Sequence, residues 1–311
     1  MADTAAPATA SLDNVERIDP VTASVIQGAL ENIAVEMGHK LMRMSYSSII
    51  RESEDFGAAL IDTQGRQLCE TPQSTPLQSG PIPGYVSGIQ QIFADRGDSF
   101  APGDVVIHNS AYHGASHGPD VAFCVPVFHD GGLVGFSVTT AHHLDIGALS
   151  PGSCGIVDAM DAYAEGLQFK ALKVYDRDNK NQPLWQMLRD NIRASDLVVG
   201  DMQAQIAAAR IGAERFVELI DRYGLGTVEA ACDHLMDYSE RVMRTAIETL
   251  PDGVYRAKTF IDGYLDSDDP SRGDLPIEVT VTVNGGDITV DFTGTAAQVP
   301  DRPINMPLEG T

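Results

Sequence analysis

Apolar residues recur three or four positions apart from Ile26 through Leu30, Ile33, Met37 and Leu41 to Met44, the period of a helix with one face turned to a core. Asp19-Pro20 supplies the start, a side-chain acceptor followed by proline where no N–H is needed, so an amphipathic helix is expected to about Tyr46. Ala58 to Asp62 reads as a strand leading into a hairpin at Thr63-Gln64-Gly65. Thr71 to Gly84 holds four prolines (Pro72, Pro76, Pro81, Pro83) and reads as an irregular loop, and Val86 to Phe93 as a short helix. Gly103-Asp104-Val105-Val106-Ile107 has the pattern of a buried strand that delivers His108 to its end.

Val121 to Phe128 and Leu133 to Thr140 are β-rich apolar runs joined by His129-Asp130-Gly131-Gly132, a hairpin signal. With a three-residue loop, Asp130 to Gly132, Asp120 faces His142 across the ribbon. With the two-residue loop Asp130-Gly131, Asp120 opposes Ala141, and His143 becomes its diagonal neighbour on the same face. Either register brings a carboxylate and an imidazole together at the open end of the ribbon. The three-residue loop and His142 are preferred, because glycine at the last loop position suits a bulged turn.

Beyond Pro151 the pattern changes. Leu184 to Ile192 and Asp196 to Tyr223 read as helices, the second ending at Gly224, and Thr227 as the cap of another running to Leu250, where Pro251-Asp252-Gly253 stops it. Val254 to Ile261, Ile277 to Val283 and Ile288 to Phe292 read as strands, the last two joined by Asn284-Gly285-Gly286. The expected class is α+β: a metal-bearing mixed β-ribbon and sheet region, a helical hairpin and a β-rich C-terminal segment. The boundaries expected are a disordered tail at 1-18, the metal-bearing region at 19-181, the helical hairpin at 182-250 and the β-rich segment at 251-311, apparently truncated.

Composition narrows the function. Lys and Arg number 21 against 44 Asp and Glu, a formal charge of -23, which repels phosphate backbones and anionic lipid and argues against nucleic-acid and membrane-surface roles. No apolar run approaches bilayer length and the Ala- and Thr-rich start does not resemble a signal peptide. Four scattered cysteines without a Cys-x-x-Cys pair fit reduced thiols and a cytoplasmic location.

The chemistry is concentrated in one stretch: six of the eight histidines lie between His108 and His143. Imidazole and carboxylate together are the ligand set that borderline and hard divalent metals share. His117-x-x-Asp120 sits in a Gly-rich loop and, with His142 across the hairpin, reads as a metal site, the bland alternative being loop-capping hydrogen bonds. Asp145 is read either as a carboxylate orienting an imidazole or as a turn cap. His108 and His113 are left as loop residues, and His39, His129 and His234 as surface ones. The Glu52-Ser53-Glu54-Asp55 run reads by itself as a solvated loop, and Asp266-Ser267-Asp268-Asp269 as a turn rather than a calcium loop. Cys154 is read as a small buried thiol rather than a nucleophile. No phosphate-binding Gly-x-x-x-x-Gly-Lys-Ser/Thr loop or dinucleotide fingerprint occurs.

Asp19-Pro20-Val21, Tyr46-Ser47, Arg51 to Phe56, Pro102-Gly103-Asp104-Val105, His117-x-x-Asp120-Val121, Ala141-His142-His143-x-Asp145-Ile146-Gly147, Pro151-Gly152-Ser153 and Asp291-Phe292-Thr293-Gly294-Thr295 resemble, in this order, the hydantoinase B/oxoprolinase family. The resemblance implies a heteromeric enzyme that opens cyclic amides of the hydantoin, lactam or oxoproline type. ATP would bind on a hydantoinase A-type partner, and a divalent ion, zinc or manganese, in this chain. Related subunits of ketone carboxylases make that activity, with bicarbonate, the alternative. The family's ligand set of a glutamate, a His-x-x-Asp pair and a later histidine falls on Glu52, His117, Asp120 and His142, with Glu54 or Asp55 as replacements for the first. His143 and Asp145 would then supply proton transfer or orientation. Two rivals stand beside this: an interaction subunit with structural histidines, and a metallohydrolase needing no ATP. The chain departs from the family pattern at Asn109-Ser110-Ala111-Tyr112 and Ala148, and it stops at Gly310-Thr311 where family members continue.

Overall fold

The computed structural model describes residues 18–153, 159–263, 273–300 and 304–308. Most of the expected N-terminal tail, Cys154, the Asp266-Ser267-Asp268-Asp269 run and Gly310-Thr311 lie outside the described residues. Helix α1 (Pro20–Met44) begins as expected: Asp19 accepts from the Thr22 N–H at 3.0 Å and proline takes the first turn. Its stripe of Ile26, Leu30, Ile33, Met37 and Leu41 is buried, while Met44, at its last turn, is exposed.

After α1 come α2 (Ser48–Arg51), β1 (Phe56–Ile61), β2 (Gln67–Glu70), α3 (Pro76–Ser79), α4 (Ile82–Arg96), β3 (Val105–His108), β4 (Asp120–His129) and β5 (Gly132–His142). Then follow β6 (Leu172–Asp176), β7 (Asn179–Lys180), α5 (Gln182–Asn191), α6 (Ser195–Tyr223), α7 (Leu225–Ile247), β8 (Gly253–Ile261), β9 (Leu275–Asn284) and β10 (Asp287–Asp291). The Pro-rich stretch is more ordered than expected. Pro76 and Pro83 occupy the first turns of α3 and α4, where a missing N–H costs nothing, so proline starts these helices rather than excluding them. Thr227 is not a cap, because the chain is already helical from Leu225 with Gly224 preceding it, and α7 ends at Ile247.

Strands β1 to β7 form one antiparallel sheet in the order β2-β1-β5-β4-β3-β6-β7. The period-2 alternation of strand side chains sorts the residues onto two faces. Val106, Ala122, Cys124, Phe136 and Val138 pack against Ile82, Tyr85, Ile89 and Phe93 of α4. On the other face, Ile107, Val121 and Phe123 meet Trp185 of α5 and Met202 and Ile206 of α6, while Leu60 and Val127 meet Leu30 and Met37 of α1 and Phe216 of α6. The architecture is therefore α+β, a buried sheet between α4 and the α1–α5–α6 layer. Strands β8, β9 and β10 make a second sheet in the order β10-β9-β8, with Tyr255, Phe260, Ile288 and Val290 exposed.

Candidate metal centre

The site is built where β4 begins and β5 ends. The register pairs Asp120 with His142, as the preferred sequence reading had it, but by a different route. The turn is the two-residue Asp130-Gly131, both at positive φ, with His129 opposite Gly132. The extra residue lies in the strand: Phe128 pairs with Leu133 and Val127 with Gly135, so a bulge at Val134 shifts the pairing by one. The expected three-residue loop is thus replaced by a tight turn plus a bulge. The two give the same register at the open end.

Alternation then separates the adjacent histidines. His142 shares the α4 face with Asp120, and its Nδ1 stands 3.0 Å from Asp120 Oδ1. His143, on the α6 face, is fully buried, with Nε2 2.8 Å from Gln205 Oε1. Because the Gln205 amide donates to Val121 O at 2.9 Å, its oxygen is the acceptor and His143 donates from Nε2. Burial pushes His143 down to about 4, so it is a neutral imidazole at physiological pH.

His117 completes the cluster from the loop before β4, its Nε2 3.2 Å from the same Asp120 oxygen. That loop is pressed onto α4: a Cβ on Gly88 would lie 1.8 Å from His113 O, and one on Gly114 2.0 Å from Gly84 O. Asn109 ties it down further, donating to Gly118 O at 2.6 Å and to Leu167 O at 3.0 Å while accepting from Phe169 N–H. Asp120 itself is fully buried; its Oδ2 accepts from Ser116 Oγ at 2.6 Å and its carbonyl from Tyr85 OH at 2.9 Å.

The electrostatics follow from this crowding. Burial would raise the Asp120 carboxyl, but the hydrogen bonds from His117, His142 and Ser116 together outweigh it and hold the group well below the usual carboxylate range. Burial likewise pushes His117 down, yet the carboxylates of Asp120 and Glu165 carry it up to about 10. One donor atom from each of His117, Asp120 and His142 lies within 4.8 Å of the others. Ligand atoms around a tetrahedral ion at ~2.1 Å stand about 3.4 Å apart, so two imidazoles and a buried carboxylate at these separations fit a divalent cation.

Of the other residues singled out from sequence, Glu52 is exposed at the C-terminal end of α2 and is not in this group. Its neighbour Asp55 adjoins the site through its backbone, its carbonyl accepting from the His142 N–H at 3.1 Å. Asp145 is buried away from the cluster, and its carboxylate accepts from the N–H groups of Gly147, Ala148 and Arg193 and from the Arg193 guanidinium. That is the geometry of a turn cap braced by an ion pair. Spacing gave no sign of Tyr85, Glu165 or Gln205, which only the packing of α4, the loop after β5 and α6 brings in, while Ser116 and Asn109 lie within the histidine-bearing stretch itself but carried no signal of their own.

The cluster opens on a cleft of about 1140 Å³. Tyr112, His117 and Glu165 line it together with Ile261, Ile277 and Val299. Two partly buried imidazoles around a fully buried carboxylate, one of them lining a cleft on an α+β scaffold, define a candidate metal site.

The family model described as Hydantoinase B/oxoprolinase matches residues 19–311, and the chain belongs to that family. It is 68% identical over 298 residues to the B-type subunit of a putative D-/L-hydantoinase of Pseudomonas sp. (strain NS671), covering 96% of this chain and 50% of that protein. It is 32% identical to the beta chain of the caprolactamase of Pseudomonas jessenii, covering 88% of this chain and 45% of that one. The crystal structure of the ATP-dependent caprolactamase from Pseudomonas jessenii superposes with a TM-score of 0.80 at 30% identity, over 91% of this chain and 47% of that one. The nucleotide-free acetone carboxylase structure superposes with a TM-score of 0.79 over 89% of this chain and 37% of that one; at 18% identity it speaks for the fold alone. The chain spans about half the length of these two curated relatives. Among the described residues, no helix is long and apolar enough to cross a membrane.

Proposed function

We propose that this chain is the metal-binding B-type subunit of an ATP-dependent enzyme that opens cyclic amides. One observation carries the reading: His117, Asp120 and His142 converge, with His117 lining the cleft, in a chain 68% identical to the B-type subunit of a putative hydantoinase. His117 and His142 would hold the ion through imidazole nitrogen and Asp120 through carboxylate oxygen. A carboxylate from the Glu52–Asp55 segment, Glu52 by the family resemblance, is the fourth donor, since that segment's backbone is already bonded to His142. When bound, a zinc- or manganese-type ion supplies Lewis acidity to an amide carbonyl or its activated form.

The chain's own residues do the positioning. Ser116 and Tyr85 fix Asp120 from behind, the cleft's apolar wall takes the body of the substrate, and the half-exposed edge of His117 faces it. His143 and Asp145 act away from the substrate, the first pinning the end of β5 to α6 and the second holding the loop that follows. ATP is assigned to a separate A-type partner, because the sequence holds no phosphate-cradling loop. The carboxylase alternative has only the shared fold in its favour.

The test is reconstitution. Co-expressed with an A-type partner, the chain should open hydantoins or lactams only with ATP present and only with its metal loaded. Ring opening by the isolated chain without nucleotide would overturn the two-subunit reading, and turnover of a ketone with bicarbonate but of no cyclic amide would favour the carboxylase.

A further inference from the structure

Glu165 reaches the cluster from a part of the chain that the hairpin does not explain. It ends a short 3-10 turn, Ala162–Glu165, whose start Asp161 caps through the N–H groups of Tyr163 and Ala164. Gly166 follows at φ +109°, and a Cβ there would stand 2.5 Å from Ile146 O, so the turn is seated against the loop after β5. From this seat Glu165 approaches His117 on the ring edge opposite the site. His117 Nε2 faces Asp120 Oδ1 at 3.2 Å, whereas Nδ1 faces Glu165 Oε1 at 3.7 Å. The second carboxylate oxygen is held in place by the Gly118 N–H at 2.9 Å.

We propose that Glu165 is a positioning residue for His117, a carboxylate on the outer nitrogen that presents the inner one to the metal. This rests on the metal reading above. Binding an ion at Nε2 displaces the proton which that nitrogen shares with Asp120, and the carboxylate beside Nδ1 keeps the remaining proton there, leaving the Nε2 lone pair for the ion. The carboxylate also makes that lone pair a stronger donor. Its other oxygen, bonded one residue beyond His117, fixes the backbone that carries the ring. The competing account is that Glu165 only braces Gly118.

The full chain, stripped with chelator, is titrated with Co(II) while its visible absorption is recorded, for wild type, Glu165→Gln and Glu165→Ala. Glutamine can still accept from the Gly118 N–H but carries no charge. Glu165→Gln should therefore weaken Co(II) binding by roughly 10-fold or more and shift the absorption bands, with Glu165→Ala weaker still, toward 100-fold. Circular dichroism of the metal-free variants should match wild type. If Glu165→Gln keeps wild-type affinity and spectrum, the residue is only a brace and the inference falls, even if Glu165→Ala is impaired. If wild type itself takes up no Co(II), the metal reading fails, and this inference with it.

Discussion

Asp120 carries the largest electrostatic burden of any residue in the site. It is a fully buried carboxylate whose one oxygen receives both imidazoles and whose other receives Ser116. Asp120→Asn preserves its shape and removes the charge, so the variant should fold but lose stoichiometric metal after dialysis, as read by elemental analysis. Full occupancy in that variant would remove Asp120 from the ligand set. His108 offers a separate check at a residue outside the proposed ligand set. Its Nδ1 accepts from the Ala171 N–H at 3.2 Å, so its Nε2 must carry the proton and donate to His113 O at 2.9 Å. A second proton would set two N–H groups against each other, and burial pushes the group down to about 4. Unfolded, it titrates near 6.5. Its contribution to stability is therefore complete above pH ~6.5 and is lost as pH falls toward about 4, at up to ~1.4 kcal/mol per pH unit. Urea melts of the metal-free protein between pH 7 and pH 5 should show this slope, and His108→Gln should reduce it by the His108 share, the buried His143 contributing in the same sense.

At the scale of elements, the β4–β5 hairpin and the loop wedged against α4 determine whether the site exists. Two β-rich apolar runs about the His129-Asp130-Gly131-Gly132 turn made the hairpin legible, and the period of two along a strand then opposed His142 and His143. The bulge at Val134 was not legible, because moving one extra residue from turn to strand leaves the same pattern of inward and outward positions at the far end. The Pro-rich stretch misled for a different reason: proline breaks a helix interior but suits its first turn, and composition does not say which applies. Glu165 and Gln205 were out of reach because their partners are 48 and 62 residues away or set by packing alone. The tight seat of the loop yields a prediction. Gly88→Ala would force its new methyl into His113 O, displacing the loop that carries His117. Stability should drop by about 1–3 kcal/mol, and metal affinity should fall with it, whereas Gly28→Ala, on an open face of α1, should leave metal affinity unchanged and stabilise the helix by about 0.5–1 kcal/mol.

At the scale of the molecule, the two-subunit reading predicts that the isolated chain loads metal yet leaves cyclic amides intact, since every proposed ligand lies between Glu52 and His142 and ATP would bind on the partner. Equilibrium dialysis and a ring-opening assay on one preparation check both halves of that statement. The small sheet has a consequence of another kind. Among the described residues, β8 and β10 each pair only with β9, leaving two open strand edges and exposed Tyr255, Phe260, Ile288 and Val290 on a body of charge -23. Self-repulsion at low ionic strength holds such surfaces apart, while salt shortens its reach from ~10 Å at 0.1 M to ~3 Å at 1 M. Colloidal behaviour should accordingly run opposite to ordinary salting-in: light scattering of the dilute chain should rise as sodium chloride is added, and a lysine placed at Val290 should suppress the rise.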